Sequence, residues 1–157
     1  MSNLKFSRTA AIAAAAALSW SFASAATQNM SVSALVVGAC KLVSVPTLNF
    51  GLLDQVLAPA VGPIAVTVTY SCTKNAVVPT FTVGGAAAPT FNGILTNTVN
   101  TDTISYTIGW AAPTAAATGF GAAAQSVSLN GNMLGGANYQ NVSAGSYIQS
   151  VPVTIIP

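Results

Sequence analysis

The sequence has very few side chains that carry charge or transfer protons. It contains no histidine and no glutamate, and its two acidic residues, Asp54 and Asp102, are far apart in the chain. General acid–base catalysis needs a positioned group of suitable pKa, and a serine nucleophile needs a neighbouring base. Downstream of residue 25 the only bases are Lys41 and Lys74, and each lies close to a cysteine. This composition argues against an enzyme.

The usual ligands of metals and nucleic acids are also scarce. Zinc sites are built from Cys and His, and the chain has two cysteines and no histidine. In residues 26–157, Lys41 and Lys74 balance Asp54 and Asp102. There is accordingly no basic stripe for phosphates and no polybasic patch for anionic lipid. We therefore expect no cofactor, no metal and no nucleic-acid partner.

The longest apolar run lies near the N-terminus and is short for a membrane span. Lys5 and Arg8 precede an apolar stretch over residues 9–22, and the small residues Ala23-Ser24-Ala25 follow it. A transmembrane helix needs about 20 apolar residues, whereas the order of basic, apolar and small segments is typical of a secretory signal peptide. We predict that residues 1–25 are a signal peptide, cleaved after Ala25 or one residue later. The exported chain is expected not to insert into a membrane.

Two cysteines, Cys40 and Cys72, remain after the predicted cleavage. In an oxidising compartment an even cysteine count indicates disulfide bonding, and two cysteines allow one pairing. Closing a loop of roughly 32 residues contributes about 3.5 to 4 kcal/mol in the chain-entropy treatment. We predict a Cys40–Cys72 disulfide.

A sustained helical period is absent from residues 26–157, and short β-type runs recur instead. The clearest run is Ile64–Tyr70, in which Ile64, Val66, Val68 and Tyr70 share one face. Further predicted strands are 30–37, 42–48 with an interruption at Pro46, 79–83, 103–110, 125–129 and 147–156. The predicted turns are Gly84-Gly85, Asn92-Gly93, Asn130-Gly131 and Gly135-Gly136. This spacing predicts a one-domain, all-β antiparallel sandwich.

Four motifs occur in order along nearly the whole exported chain. They are the alternating Met30–Val36 before Cys40, Leu48-Asn49-Phe50-Gly51, the Val/Thr-rich run from Ile64 to Cys72, and Ala144-Gly145-Ser146-Tyr147 followed by Val151–Ile155. With them the sequence resembles the spore coat protein U domain family, which includes subunits of Csu-type archaic chaperone–usher pili. It departs from that family at Gln149, where Asp is common, and at Pro152, which interrupts the last strand.

The resemblance implies an immunoglobulin-like β-sandwich that lacks its last strand, formed here by residues 38–157. Residues 26–37 would then be a donor strand that completes the sandwich of a neighbouring subunit. Its inward side chains would be Met30, Val32, Ala34 and Val36, and the acceptor groove would include Val151, Val153 and Ile155. The same segment also fits the first strand of its own domain.

The resemblance also implies partners and a location. The expected partners are a periplasmic pilus chaperone, an outer-membrane usher, and other copies of the chain or sister pilus subunits. The protein would be exported through the periplasm to the cell surface and would serve adhesion and biofilm formation. The alternative is a monomeric, secreted carbohydrate-binding or surface-coat module, which would expose Trp110 or Tyr139 as a sugar platform.

Overall fold

Strands account for almost all of the regular structure. The computed structural model describes residues 27–75, 77–87 and 89–157, so the predicted signal peptide lies outside the described residues. The strands are β1 (Cys40–Ser44), β2 (Val61–Cys72), β3 (Thr80–Val83), β4 (Thr90–Asn97), β5 (Thr103–Trp110), β6 (Gln125–Met133), β7 (Tyr147–Ile148) and β8 (Val153–Ile156). One 3₁₀ turn spans Gly136–Asn138. The chain divides into two units, residues 1–34 and 35–157, and all of these elements belong to the second.

The strands form two antiparallel sheets. The larger has six strands in the order β1-β2-β6-β5-β4-β7, and the smaller consists of β3 and β8. Every strand pair is antiparallel, as expected where hairpins and short connections join the strands. The larger sheet curls over the smaller one. This arrangement is consistent with an immunoglobulin-like sandwich, so the predicted fold class is confirmed.

The core lies between the two sheets and follows the two-residue period of the strands. On β2, Val68, Tyr70 and Cys72 are buried, whereas Ala65 and Thr67 on the other face are exposed. Strand β5 buries every second residue from Ile104 to Trp110, and β6 buries Val127, Leu129 and Met133. From the small sheet, Phe81 packs edge-on against Trp110 with ring centroids 6.4 Å apart.

Two of the predicted turns are wrong. Asn92-Gly93 lies inside β4, and Asn130-Gly131 lies inside β6. In each pair the glycine makes room for a large neighbour. Gly93 is paired directly with Tyr106, and a Cβ at position 93 would overlap the Tyr106 ring. A Cβ on Gly131 would lie 2.6 Å from Cδ1 of Leu48. Gly93 therefore serves cross-strand packing, and Gly131 makes room for Leu48 of the segment that follows β1. The predicted turn at Gly84-Gly85 is correct.

The predicted single strand over residues 147–156 is also wrong. Strand β7 pairs with β4 in the large sheet, whereas β8 pairs with β3 in the small sheet. The chain passes from one sheet to the other over residues 149–152, where Pro152 has no N–H to donate to a ladder. Similarly, β1 ends at Ser44, two residues before Pro46, so the predicted run to residue 48 is shorter.

The N-terminal strand of the large sheet is cross-linked to its neighbour. Cys40 and Cys72 are directly opposite each other in the β1–β2 register, and a disulfide joins them. Cys72 is buried in the core and Cys40 is half-buried. The sequence predicted this pairing, and the bond attaches β1 covalently to the longest strand of the sheet.

Candidate functional site

The small sheet has an open edge. Strand β8 pairs with β3 from Val83↔Val153 to Thr80↔Ile156. In the part of the chain that the structure describes, no strand pairs with the other edge of β8. Strand β1 passes close to β8, and just before β1 a Cβ on Gly38 would lie 3.6 Å from the Cβ of Pro157. An edge of this kind leaves main-chain donors and acceptors available to another chain.

An apolar groove lies beside this edge. It encloses about 280 Å³ between residues 45–50, which follow β1, and residues 149–153, which lead into β8. Its apolar lining comes from Leu48, Phe50, Val66, Ile108, Leu129, Val151 and Val153, among others. No lining residue of this groove is charged. It is therefore suited to apolar side chains that enter from a strand paired with β8.

The predicted acceptor residues are partly brought together here. Val151 and Val153 line the groove. Ile155 is half-buried against the core further along β8 and does not line the groove. The alternation of β8 turns Val153 and Ile155 to the same face, and Val151, which precedes the strand, is half-buried as well. Their role as acceptors of a neighbour's strand stays a prediction.

A larger cavity of about 710 Å³ adjoins the groove. Leu48, Phe50 and Leu95 line both spaces. The remaining lining comes mainly from residues 49–56 and 142–147, and the Gln55 amide ties these two segments by donating to the Val142 carbonyl at 2.6 Å. The groove is apolar, whereas the lining of this cavity also includes the polar side chains Asp54, Gln55 and Ser143.

Leu48 and Phe50 owe their positions to a local turn. The Asn49 side chain accepts a hydrogen bond from the Gly51 N–H at 2.8 Å, and Gly51 has φ +77°. Turns of this type favour Asn for the side-chain bond and Gly for the left-handed backbone. Leu48 and Phe50 are half-buried, while Asn49 and Gly51 are exposed. Sequence reasoning singled out this motif but did not assign it to the groove.

A polar cluster lies at the rim of the groove. The Gln149 carbonyl oxygen Oε1 accepts hydrogen bonds from the Ile94 main-chain N–H at 2.9 Å and from the Tyr106 hydroxyl at 2.8 Å. The Tyr106 ring packs against Phe50 with centroids 5.6 Å apart. Burial raises the pKa of the Tyr106 phenol, so it remains a neutral donor through the physiological range.

The predicted donor segment belongs to neither sheet. Residues 27–39 form no strand, and every one of them is exposed. Met30 is 84% exposed, Val32 81% and Val36 80%, and Ala34 is exposed as well. Contiguous exposed apolar residues commonly mark an interaction surface. The predicted role of these residues as a donor strand stays a prediction.

Comparison with known families agrees with this architecture. The Spore Coat Protein U domain model matches residues 26–154. The chain belongs to this family. The match runs from the exposed N-terminal segment into β8, so it includes the segment and every residue that lines the groove. No curated protein and no solved structure gives a significant match.

The family supplies the general context of this Spore Coat Protein U domain. Spore Coat Protein U domains are structural domains associated with chaperone–usher pilus and coat proteins at the cell surface, and the family is not an enzyme family. Within residues 27–75, 77–87 and 89–157, no helix is long and apolar enough to cross a membrane. The same described ranges contain no group of three His, Cys, Asp or Glu side chains that could hold a metal.

Trp110 and Tyr139 of this Spore Coat Protein U domain do not form the sugar platform that the alternative function required. Trp110 is 5% exposed and Tyr139 is fully buried. The Tyr139 hydroxyl donates to the Pro59 carbonyl and so anchors the segment before β2. The expectation of an exposed Trp110 or Tyr139, which the monomeric carbohydrate-binding alternative required, is therefore wrong. Both side chains fill the interior because large aromatic surfaces gain most from burial.

Proposed function

We propose that this protein is a structural subunit of a surface pilus, assembled through a chaperone–usher pathway by donor-strand complementation and serving adhesion and biofilm formation. One observation carries the proposal. Strand β8 has an open edge above an uncharged apolar groove, and residues 27–37 are an exposed, alternating, uncharged segment outside both sheets. In a fibre, the segment of one copy pairs with β8 of the next.

The contact between the segment of one copy and the groove of the next, here called the joint, is energetically favourable. Strand addition to a sheet edge satisfies the free main-chain groups, and alternate side chains enter pockets below. Met30, Val32 and Val36 are almost fully exposed before assembly. Burying each such side chain contributes roughly 1.5 to 3 kcal/mol. Neither the segment nor the groove lining carries a charge, so the joint requires no ion pair and is not weakened by charge screening.

The partners follow from the same surface. An open edge beside an apolar groove is prone to aggregation, so the groove needs a cover between export and assembly. A periplasmic pilus chaperone supplies that cover, an outer-membrane usher exchanges it for the next subunit, and other copies or sister subunits fill the groove in the fibre. The signal peptide predicted for residues 1–25 directs the chain to this pathway.

A deletion with a graft tests the main claim. Removing residues 27–36 should abolish polymers, while placing the same ten residues after Pro157 should restore a folded monomer. The measurement is the ladder of detergent-resistant multimers on unboiled gels, together with circular dichroism of the grafted monomer. If the grafted chain cannot fold, the segment belongs to its own sheet and the proposal is wrong.

A matched pair of single substitutions tests which side chains of the segment point into the groove. Val32→Asp places a carboxylate on the predicted inward face and should block polymers, because an unpaired charge in an apolar groove costs several kcal/mol. Ser33→Asp adds the same charge one residue later, on the predicted outward face, and should leave the ladder intact. Normal polymers from Val32→Asp would contradict donor-strand insertion in this register.

A further inference from the structure

The orientation of the Gln149 side chain is fixed by two donors. Its Oε1 accepts from the Ile94 main-chain N–H and from the Tyr106 hydroxyl. A main-chain N–H only donates, so the amide oxygen and not the nitrogen must face β4. Strand β7 pairs with β4 only at Thr96 and Asn97. At Ile94, where β7 no longer pairs with β4, Gln149 Oε1 therefore accepts the hydrogen bond that a main-chain carbonyl of a paired strand would accept.

The other end of the amide is left without a protein partner. Nε2 has two N–H donors, and neither is bonded to an acceptor among the residues that the structure describes. Gln149 lines the groove together with Val151 and Val153 and is exposed. Water solvates these donors while the groove is open. A strand that covers the groove removes that water, and a buried donor without an acceptor is unfavourable.

Resting on the proposed function, we infer that Gln149 is a specificity-determining residue of the groove. Its Nε2 donates to a main-chain carbonyl of residues 27–37 of a second copy. The same side chain thus presents an acceptor to its own sheet and a donor to the incoming strand. The groove therefore favours a strand whose main-chain carbonyl lies opposite Gln149 Nε2. A strand shifted in register, which would place an N–H or a side chain without an acceptor there, binds less well.

The variant Gln149→Glu removes the donor at neutral pH and at the same time adds a negative charge beside the groove, and both changes are reversed when the carboxyl is protonated. A carboxylate keeps an acceptor for Ile94 and Tyr106 but at neutral pH has no N–H or O–H to donate. Below the pKa of glutamate, about 4.3 in model peptides, the acid regains one donor. Among the described residues, Tyr106 is the only native titratable side chain that lines the groove, and burial raises its pKa. Residues 27–37 contain no titratable side chain.

The test uses the chain from Ala26 onward, refolded with an end-blocked, fluorescent peptide of residues 27–37, and follows peptide dissociation at pH 7.5 and pH 3.5. Relative to the unmodified protein at each pH, Gln149→Glu should release peptide on the order of tenfold faster at pH 7.5 and at a similar rate at pH 3.5. Gln140→Glu adds the same charge at an exposed position outside the groove and should behave like the unmodified protein at both pH values.

Three results would overturn the inference. If Gln149→Glu releases the peptide at the same rate as the unmodified protein at both pH values, Gln149 does not contribute to recognition of the strand, although the proposed function stands. If it loses peptide equally at both pH values and unfolds at a lower temperature, its role is only structural. If no protein binds the peptide, the proposed function itself fails.

Discussion

Gly93 and Tyr106 face each other across the β4–β5 pair, and the ring lies over the glycine backbone. We expect Gly93→Ala to push the ring aside and weaken its bond to Gln149, because overfilling a packed site costs about 1 to 3 kcal/mol. The measurement is the midpoint of denaturant unfolding of the grafted monomer. Gly121→Ala is the control, since a Cβ there meets no atom within 4 Å. Equal midpoints for the two variants would contradict the packing role of Gly93.

Asp102 ties the β4–β5 connection to the loop before β7. Hydrogen bonds from the Ser143 hydroxyl, from the Ser143 main-chain N–H at 2.7 Å and from Asn100 hold the pKa of Asp102 below its ordinary value. A lowered folded-state pKa stabilises the fold above the unfolded-state pKa of about 3.9, and that stabilisation is lost as pH falls through the folded-state pKa.

The melting temperature should therefore fall with acid between about pH 5 and pH 2, and part of that slope should disappear in Asp102→Asn. Asp54→Asn removes the other carboxylate of the described chain and is the control, because the slope due to Asp102 should persist in it. An unchanged acid slope in Asp102→Asn would show that the Ser143 contacts do not couple to folding.

At the scale of strands, the disulfide fastens the short edge strand β1 to β2. Cys40→Ser opens a loop of 32 residues and should lower stability by about 3.5 to 4 kcal/mol in the chain-entropy treatment. The yield of exported protein should drop severely, because the incomplete sandwich that we propose has little stability to spare. Non-reducing peptide mapping should recover the cross-linked Cys40 and Cys72 peptides. Free alkylation of both thiols in the folded protein would exclude the bond.

The strands that the sequence predicted well are those whose pattern is local. The alternation of β2 from Ile64 to Tyr70 identified its buried face, and two cysteines allowed one disulfide. Strand β4 was missed because Asn92-Gly93 is a strong hairpin signal, and the demand for glycine at position 93 comes from Tyr106 on another strand. Local sequence does not contain that information.

The candidate site was predicted only in part for the same reason. The family resemblance implied that Val151 and Val153 belong to an acceptor groove, and both line the groove beside β8, although their role as acceptors stays a prediction. Leu48, Tyr106 and Gln149 reach it from three different parts of the chain. Their meeting depends on the crossing of residues 149–152 from the large sheet to the small one, and the sequence predicted one continuous strand there.

At the scale of the whole molecule, export of the chain to the periplasm depends on the predicted signal peptide, and the proposed assembly requires that export. The intact mass of protein recovered from the periplasm or cell surface should correspond to a start at Ala26, or one residue later. The basic, apolar and small order of residues 1–25 is the reason. A surface product that retains Lys5 and Arg8 would contradict cleavage and the proposed route of export.

The position of the disulfide has a mechanical consequence. Tension applied to residues 27–37 enters the domain through Gly38 and Ala39 and arrives at Cys40. From there the covalent bond to Cys72 carries the load directly into β2, which is hydrogen-bonded to both β1 and β6. The force therefore does not act on the main-chain hydrogen bonds between β1 and β2, and these bonds do not break one after another from the end that is pulled. If the chain assembles into the fibre that we propose, stretching that fibre should first pull a donor segment out of its groove, with each domain still folded.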